Sequence, residues 1–223
     1  VEKIRPARGV TANSGPGYRD SAKAFAAEIA ADCRRQFGHQ LDSGAALAVE
    51  RVDFFLTDRL RNEGLTLLDA TEVFLEARRI KQGEEIDVLR EAVIRVEHAV
   101  GCVEQVLKAG LTEVEVWAAF HQDLIARGGE YVSTRLLQSG PNTFPYFKEA
   151  GKRVISDGDL MCIDTDAIGY GGYAVDLSRT FLCGDQNPNS AQRTLYSRAQ
   201  EQLQHNAALI MPGRSFEAFA RRV

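Results

Sequence analysis

Nothing in the 223 residues forms a basic block. The 27 Lys and Arg are dispersed among 31 Asp and Glu, giving a formal net charge of −4, and cluster only in pairs such as Arg34-Arg35 and Arg78-Arg79. A nucleic-acid partner is therefore not expected, because phosphate binding needs concentrated positive charge. The sequence also lacks any apolar run near the roughly 20 residues of a membrane span, so no membrane partner is expected. Cysteine is scarce: Cys33, Cys102, Cys162 and Cys183 lie far apart with no Cys-x-x-Cys pair. That excludes a zinc knuckle and a disulfide scaffold, and predicts reduced thiols and a cytoplasmic location. No signal peptide and no initiating Met is present, so Val1-Glu2-Lys3-Ile4-Arg5-Pro6 reads as a cut N-terminus. Internal repeats and low-complexity tracts are missing too. What the chain does have is 44% hydrophobic residues, enough to build a core rather than a disordered tail.

The apolar residues change period along the chain. After Asn13-Ser14-Gly15-Pro16-Gly17, an Ala-rich helix is expected from Ala22 to Phe37, a buried strand at Ala45 to Val49, a helix at Val52 to Arg61 stopped by Gly64, and a short strand at Leu65 to Leu68. This β-α-β rhythm assigns residues 1–79 to a partial α/β auxiliary domain and residues 80–223 to a second domain. In the second domain Ile86, Leu89, Val93, Val96, Val100, Val103 and Leu107 recur every three or four residues, which predicts one stripe of a long helix ended by Gly110. Thr112 and Glu115 form a capping-box signature for the next helix, with Val116, Phe120 and Leu124 facing inward. Strands are expected at Tyr131 to Gln138, Leu160 to Ile168 and Tyr173 to Cys183, then a helix from Ala191 to about Ile210.

The chemistry concentrates around Gly169-Tyr170-Gly171-Gly172, whose glycines suit a tight reversal between two strands. With the turn centred on Tyr170, Asp164 lies opposite Asp176, and Asp166 points to the same face as Asp164. Three carboxylates would then converge, an arrangement that repels itself unless a cation is bound. All-oxygen ligation suits Mn, Fe, Co or Zn, and a bridging carboxylate can hold two ions roughly 3.5–4 Å apart to activate water or polarise a substrate oxygen. The opposing reading places these aspartates at a solvated turn. That reading carries most weight at Asp166 and least at Asp164 and Asp176, which are flanked by Leu160, Ile163, Val175 and Phe181.

The run Gly172-Tyr173-Ala174-Val175-Asp176-Leu177-Ser178-Arg179-Thr180-Phe181 resembles the hairpin of the creatinase, prolidase, aminopeptidase P and methionine aminopeptidase superfamily. The likeness extends through Ile80-Lys81, Glu84-Glu85-Ile86, Gly110-Leu111-Thr112-Glu113, Ser139-Gly140-Pro141-Asn142 and Gly158-Asp159-Leu160. It implies an α+β, pita-bread fold with an incomplete C-terminal half, preceded by the remnant of a creatinase-type α/β domain. By the same resemblance Asp176 is the bridging metal ligand, Asp164 the other hairpin ligand and Asp166 an additional one. The family spaces its two hairpin aspartates eleven apart, whereas Asp164 and Asp166 stand twelve and ten before Asp176, which marks an altered turn. At Phe144-Pro145-Tyr146 the peptidases commonly carry Pro-His, so Tyr146 is a weak catalytic candidate. These departures resemble a branch that includes dimethylsulfoniopropionate lyases, for which the resemblance implies iron and release of dimethyl sulfide and acrylate.

Three functions follow from the resemblance. The first is a metal-dependent hydrolase of the Xaa-Pro peptidase type, in which metal-activated water attacks a peptide bond; the second is the lyase; the third is a non-catalytic binding module. The expected partners are a small-molecule or short-peptide substrate and, at full length, a second copy in a homodimer. The family's remaining ligands, one His and two Glu, have no counterpart before Val223; His205, Glu201 and Glu217 read as ordinary helix residues. The expectation is therefore a fragment that is inactive alone.

Overall fold

The computed structural model describes residues 8–221. The chain divides into two compact units, Val1–Gln82 and Gly83–Val223, each with its own core.

In the first unit α1 (Tyr18–Asp42) precedes β1 (Leu47–Val49), α2 (Phe54–Asn62), β2 (Leu67–Asp69) and α3 (Thr71–Arg79). β1 and β2 pair in parallel, Leu47 with Leu67 and Val49 with Asp69, with α2 as the crossover. This β-α-β unit is the one the alternating sequence signals predict. Asp53 starts α2 by accepting the Phe55 and Leu56 backbone N–H groups at 2.9 and 3.4 Å, the usual work of an aspartate N-cap. Ala26 and Ala30 of α1 pack against Leu56, Leu60 and Leu65. Alanine at these positions lets α1 and α2 approach closely. α3 was not expected; no residue of it is buried, so it left no core-facing period to find.

The second unit opens with α4 (Gly83–Val106) and α5 (Glu113–Ala126). The expected capping box is present: Thr112 Oγ1 accepts from Glu115 N–H at 3.3 Å, and the Glu115 carboxylate accepts from Thr112 N–H at 2.7 Å. Val96, Val100 and Val103 are buried as predicted, but Ile86 is 36% exposed while Ala92 and Ala99 are fully buried. The buried stripe is rotated toward the alanines. Gly169 explains why: a Cβ built there would lie 2.8 Å from the Ala92 carbonyl oxygen, so the strand and α4 touch backbone to backbone. A Gly169→Val substitution should force the two apart and lower stability by about 1–3 kcal/mol, readable as a fall in urea midpoint at unchanged slope.

Two three-stranded antiparallel sheets follow. One orders β3 (Tyr131–Val132), β6 (Ala167–Tyr170) and β7 (Tyr173–Val175); the other orders β4 (Leu137–Ser139), β5 (Leu160–Asp164) and β8 (Ser178–Leu182). Each of the three strands expected from sequence is thus two short strands in different sheets. The breaks fall at Thr165-Asp166 and Asp176-Leu177 in the hairpin. Asp166 adopts φ +36°, a conformation aspartate tolerates better than most residues. Thr165 bridges the gap: its N–H donates to Leu177 O at 3.1 Å and its Oγ1 accepts Leu177 N–H at 2.9 Å. Leu137, Met161, Ile163 and Val175 join α4 and α5 in the core.

The hairpin register also corrects the sequence expectation. The turn centres on Gly171 and Gly172, at φ +62° and +79°, between paired Tyr170 and Tyr173, with a bulge between Ile168 and Tyr170. Asp164 consequently pairs with Ser178 rather than Asp176. The pairs Ala167–Val175 and Asp164–Ser178 keep one register across the break, which puts Asp166 level with Asp176. The bulge absorbs one residue on the β6 side, where the altered spacing requires it. Arg95 of α4 stacks its guanidinium 3.9 Å from the Tyr170 ring centroid, and Gly172 N–H donates to Glu130 at 2.7 Å, fixing the turn.

Beyond the sheets, α6 (Ser190–Leu209) and α7 (Phe216–Ala220) follow. Asn189 and Gln192 form a second capping box at the start of α6. His205 is an exposed residue of α6, as expected.

Candidate metal centre

Strand alternation sorts the β4–β5–β8 sheet into two faces. Met161 and Ile163 turn into the core, so Cys162 and Asp164 turn away from it. Asp164 is 9% exposed, and its Oδ1 accepts from the Ser178 hydroxyl at 2.9 Å. Asp176, in the break after β7, shares a hydrogen bond with Asp164. That bond, then partial burial, then the charges of Asp164 and Asp166 push the Asp176 carboxyl above the ordinary aspartate range; a bond donated by the Asp166 backbone N–H partly offsets them. Asp166 turns its own carboxylate to Thr134, whose hydroxyl donates to it at 2.7 Å. Two of the three expected aspartates are therefore in contact, and the third contributes charge and a backbone donor.

Among the described residues, no group of three or more His, Cys, Asp or Glu side chains stands in an arrangement that could hold a metal ion. The Asp164–Asp176 pair nevertheless has the chemistry of part of a donor set. Two carboxylates pressed together repel one another, which raises the Asp176 carboxyl and which a cation would relieve, and oxygen-only donors suit hard or borderline divalent ions.

Tyr146 arrives on the loop between β4 and β5. Its side chain, 43% exposed, stands near Ser178 and Asp164. Burial foremost, with the Asp164 charge, raises the phenol above its ordinary value, against the lowering effect of the Ser178 hydrogen bond. It is a proton-bearing donor at neutral pH. The Cys162 thiol beside it is also raised, chiefly by burial and against the effect of its Thr180 contact, and all four cysteines are unpaired.

Sequence reasoning did not single out Ser178, Thr134 or Glu113. Ser178 was legible in principle, since it lies two residues after Asp176 in the Asp-x-Ser-Arg run. Thr134 gave no signal, because its contact with Asp166 depends on the left-handed backbone there. Glu113 is 1% exposed and accepts from Ser139 N–H and Oγ, both at 2.8 Å, from Asn142 Nδ2 at 3.1 Å and from Gly151 N–H at 3.1 Å. It pins both ends of the loop that carries Tyr146.

Comparison with known proteins places this geometry. The chain is 34% identical over 181 residues to the dimethylsulfoniopropionate lyase DddP of Roseovarius nubinhibens, an alignment covering 79% of this chain and 41% of that protein. It superposes on the prolidase of Pyrococcus furiosus with a TM-score of 0.64 at 25% identity, covering 72% of this chain and 48% of the other. The X-Pro aminopeptidase of Thermotoga maritima shares the fold with a TM-score of 0.68 at 22% identity, covering 82% and 51%. The chain thus spans about two fifths of the length of the curated lyase it matches. No helix among the described residues is long and apolar enough to cross a membrane. Residues 87–223, more than half of the chain, match the family model, and the chain belongs to metallopeptidase family M24, with the pita-bread fold of that family.

Proposed function

We propose that Asp164, Asp166 and Asp176 supply carboxylates to a divalent metal centre, and that the protein of which they form part is a lyase of the dimethylsulfoniopropionate type. The carrying observation is the Tyr146 hydroxyl against Asp164 and Ser178, at the place where the resemblance puts the peptidase histidine. The greater likeness to the Roseovarius lyase, 34% identity over 79% of the chain, supports the same reading. Two ions of Mn, Fe, Co or Zn would suit the donors, with iron favoured for a lyase. A bound metal would polarise a substrate oxygen and offset the carboxylate charges.

The chain's own residues do the rest. Tyr146 donates a hydrogen bond at its hydroxyl, and Ser178 holds Asp164 in place. In the overall reaction a base takes the proton next to the substrate carboxylate, the carbon–sulfur bond breaks, and its electron pair leaves with dimethyl sulfide, giving acrylate.

The second reading is Xaa-Pro peptide hydrolysis, favoured by the superposition on the Pyrococcus furiosus prolidase. The protein at its natural length, supplied with Fe(II) or Mn(II), should release dimethyl sulfide and acrylate from dimethylsulfoniopropionate and leave an Xaa-Pro dipeptide intact. Dipeptide cleavage without dimethyl sulfide would make it a peptidase. Residues 1–223 alone are expected to turn over neither, because three aspartates leave a metal open on one side. We further assign residues 1–79 an auxiliary role, place the protein in the cytoplasm as a homodimer, and expect neither nucleic-acid nor membrane partners.

A further inference from the structure

The row of side chains next to Asp164 holds a polar group that the fold leaves unpaired. Gln138 of β4 stands opposite Cys162 of β5, which stands opposite Thr180 of β8. Strand alternation puts this row on the same face as Asp164 and Ser178, because Leu137, Met161 and Ile163 occupy the core face. Gln138 is completely buried. Its Oε1 accepts the Lys148 backbone N–H at 2.9 Å, and since an N–H can meet only the oxygen of the amide, the orientation is fixed. Nε2 is left buried with no hydrogen-bond partner. Such groups are rare and destabilising, and call for a reason beyond packing. Along the row, Cys162 Sγ and Thr180 Oγ1 are 3.4 Å apart; at its β8 end Thr180 and Ser178 also line a cavity of about 390 Å³ shared with Tyr196, Gln200 and Leu203, which Gln138 and Tyr146 do not line.

We propose that Gln138, Thr180 and Tyr146 form a subsite that binds the carboxylate of a small substrate whose reacting carbon lies over the aspartates. Gln138 Nε2, the Thr180 hydroxyl and the Tyr146 phenol are all donors, and together they suit an acceptor with several lone pairs. Rows two residues apart on a strand are separated by about 6.6 Å, so the ligand is short, with its carboxylate a few bonds from the reacting centre. A carboxylate here is held near other carboxylates only if a cation offsets them, so the inference rests on the metal reading above. It deepens that reading by naming the end of the substrate that this face recognises. The loop Phe144–Phe147 leads into Lys148, whose N–H meets Gln138, and its Phe144 and Phe147 are 84% and 68% exposed; since Gln138 is fully buried, this loop is the segment that would shift to admit the ligand.

The test uses the Mn(II)-supplied protein at its natural length, with propionate as probe and propionamide as its uncharged counterpart, titrated calorimetrically. Wild type should bind propionate, and Gln138→Leu should weaken it about tenfold or more, the usual effect of deleting a hydrogen bond to a charged group. Gln138→Glu keeps the acceptor for Lys148 N–H but replaces the donor with a like charge, and should prefer propionamide. Metal content measured on the same samples separates the two inferences. Unchanged metal with unchanged propionate affinity in both variants overturns the subsite alone. Absence of metal from wild type overturns the metal reading first. Should Gln138→Leu prove unfolded by circular dichroism, Gln138→Glu decides by the same preference.

Discussion

Replacing Glu113 with Ala is expected to destabilise the Gly83–Val223 unit by about 3–5 kcal/mol, the range for stripping one partner from a buried charged network. Oε1 accepts three hydrogen bonds and Oε2 one, and Ala removes the acceptor of all four, the Ser139 pair being fully buried and Asn142 and Gly151 half-buried. Buried donors without acceptors cost about 1–3 kcal/mol each, though partial relaxation keeps the sum below four times that. The carboxylate also sits at the first residue of α5, where the helix dipole favours negative charge. With about 2–4 °C per kcal/mol for a chain of this size, the melting temperature should fall by roughly 10 °C. Glu113→Gln keeps one oxygen but turns an NH₂ toward either Gly151 N–H or the Ser139 donors, and should lose less. Equal melting of wild type and Glu113→Ala would show that the network is not needed for the fold. Since Ser139, Asn142 and Gly151 bracket the loop, Glu113→Ala should also release Tyr146 from Asp164.

The second large effect is at the aspartates, and its sign depends on whether metal is present. In the proposed holoprotein, Asp164→Asn with Asp176→Asn should weaken Mn(II) binding by about a hundredfold or more, equivalent to ~2.7 kcal/mol. In metal-free protein, Asp176→Asn alone should instead be stabilising at neutral pH, because it removes a carboxylate held against Asp164. The pH dependence follows from the raised Asp176 carboxyl. A native group that holds its proton more tightly than the unfolded chain contributes stability in full below the ordinary aspartate value, and that contribution is lost as pH rises through the raised one. The urea midpoint of metal-free wild type should therefore fall relative to Asp176→Asn as the pH rises above the ordinary aspartate range. A constant difference across that range would mean that Asp164 and Asp176 do not press on one another.

Much of this is legible in the sequence. The α4 and α5 stripes were visible because valine, phenylalanine and leucine recur at helical spacing, and the Thr112–Glu115 capping box is a local signal that tertiary structure left intact. The hairpin was visible through its glycines, and Asp164, Asp166 and Asp176 through their crowding around it. What sequence could not supply was register. The choice between a turn at Tyr170 and one at Gly171-Gly172 moves Asp164 from Asp176 to Ser178, and it is decided by the Gly169 bulge, which depends on close packing against Ala92 of α4. The strand breaks were hidden for a related reason: Thr165 and Leu177 look like continuous strand, and the left-handed backbone at Asp166, where β5 gives way to β6, leaves no mark in the sequence. Glu113 reads as an ordinary acidic residue in a first helical turn. Its burial is set by a loop 26 to 38 residues away in sequence.

The central claim is that the hairpin aspartates hold a divalent metal. Equilibrium dialysis of the protein at its natural length against Mn(II), with bound metal counted by mass spectrometry, tests it most directly when wild type is run beside the Asp164→Asn, Asp176→Asn double variant. The account predicts metal retained by wild type and lost from a variant that remains folded. Equal metal in the two proteins would contradict it.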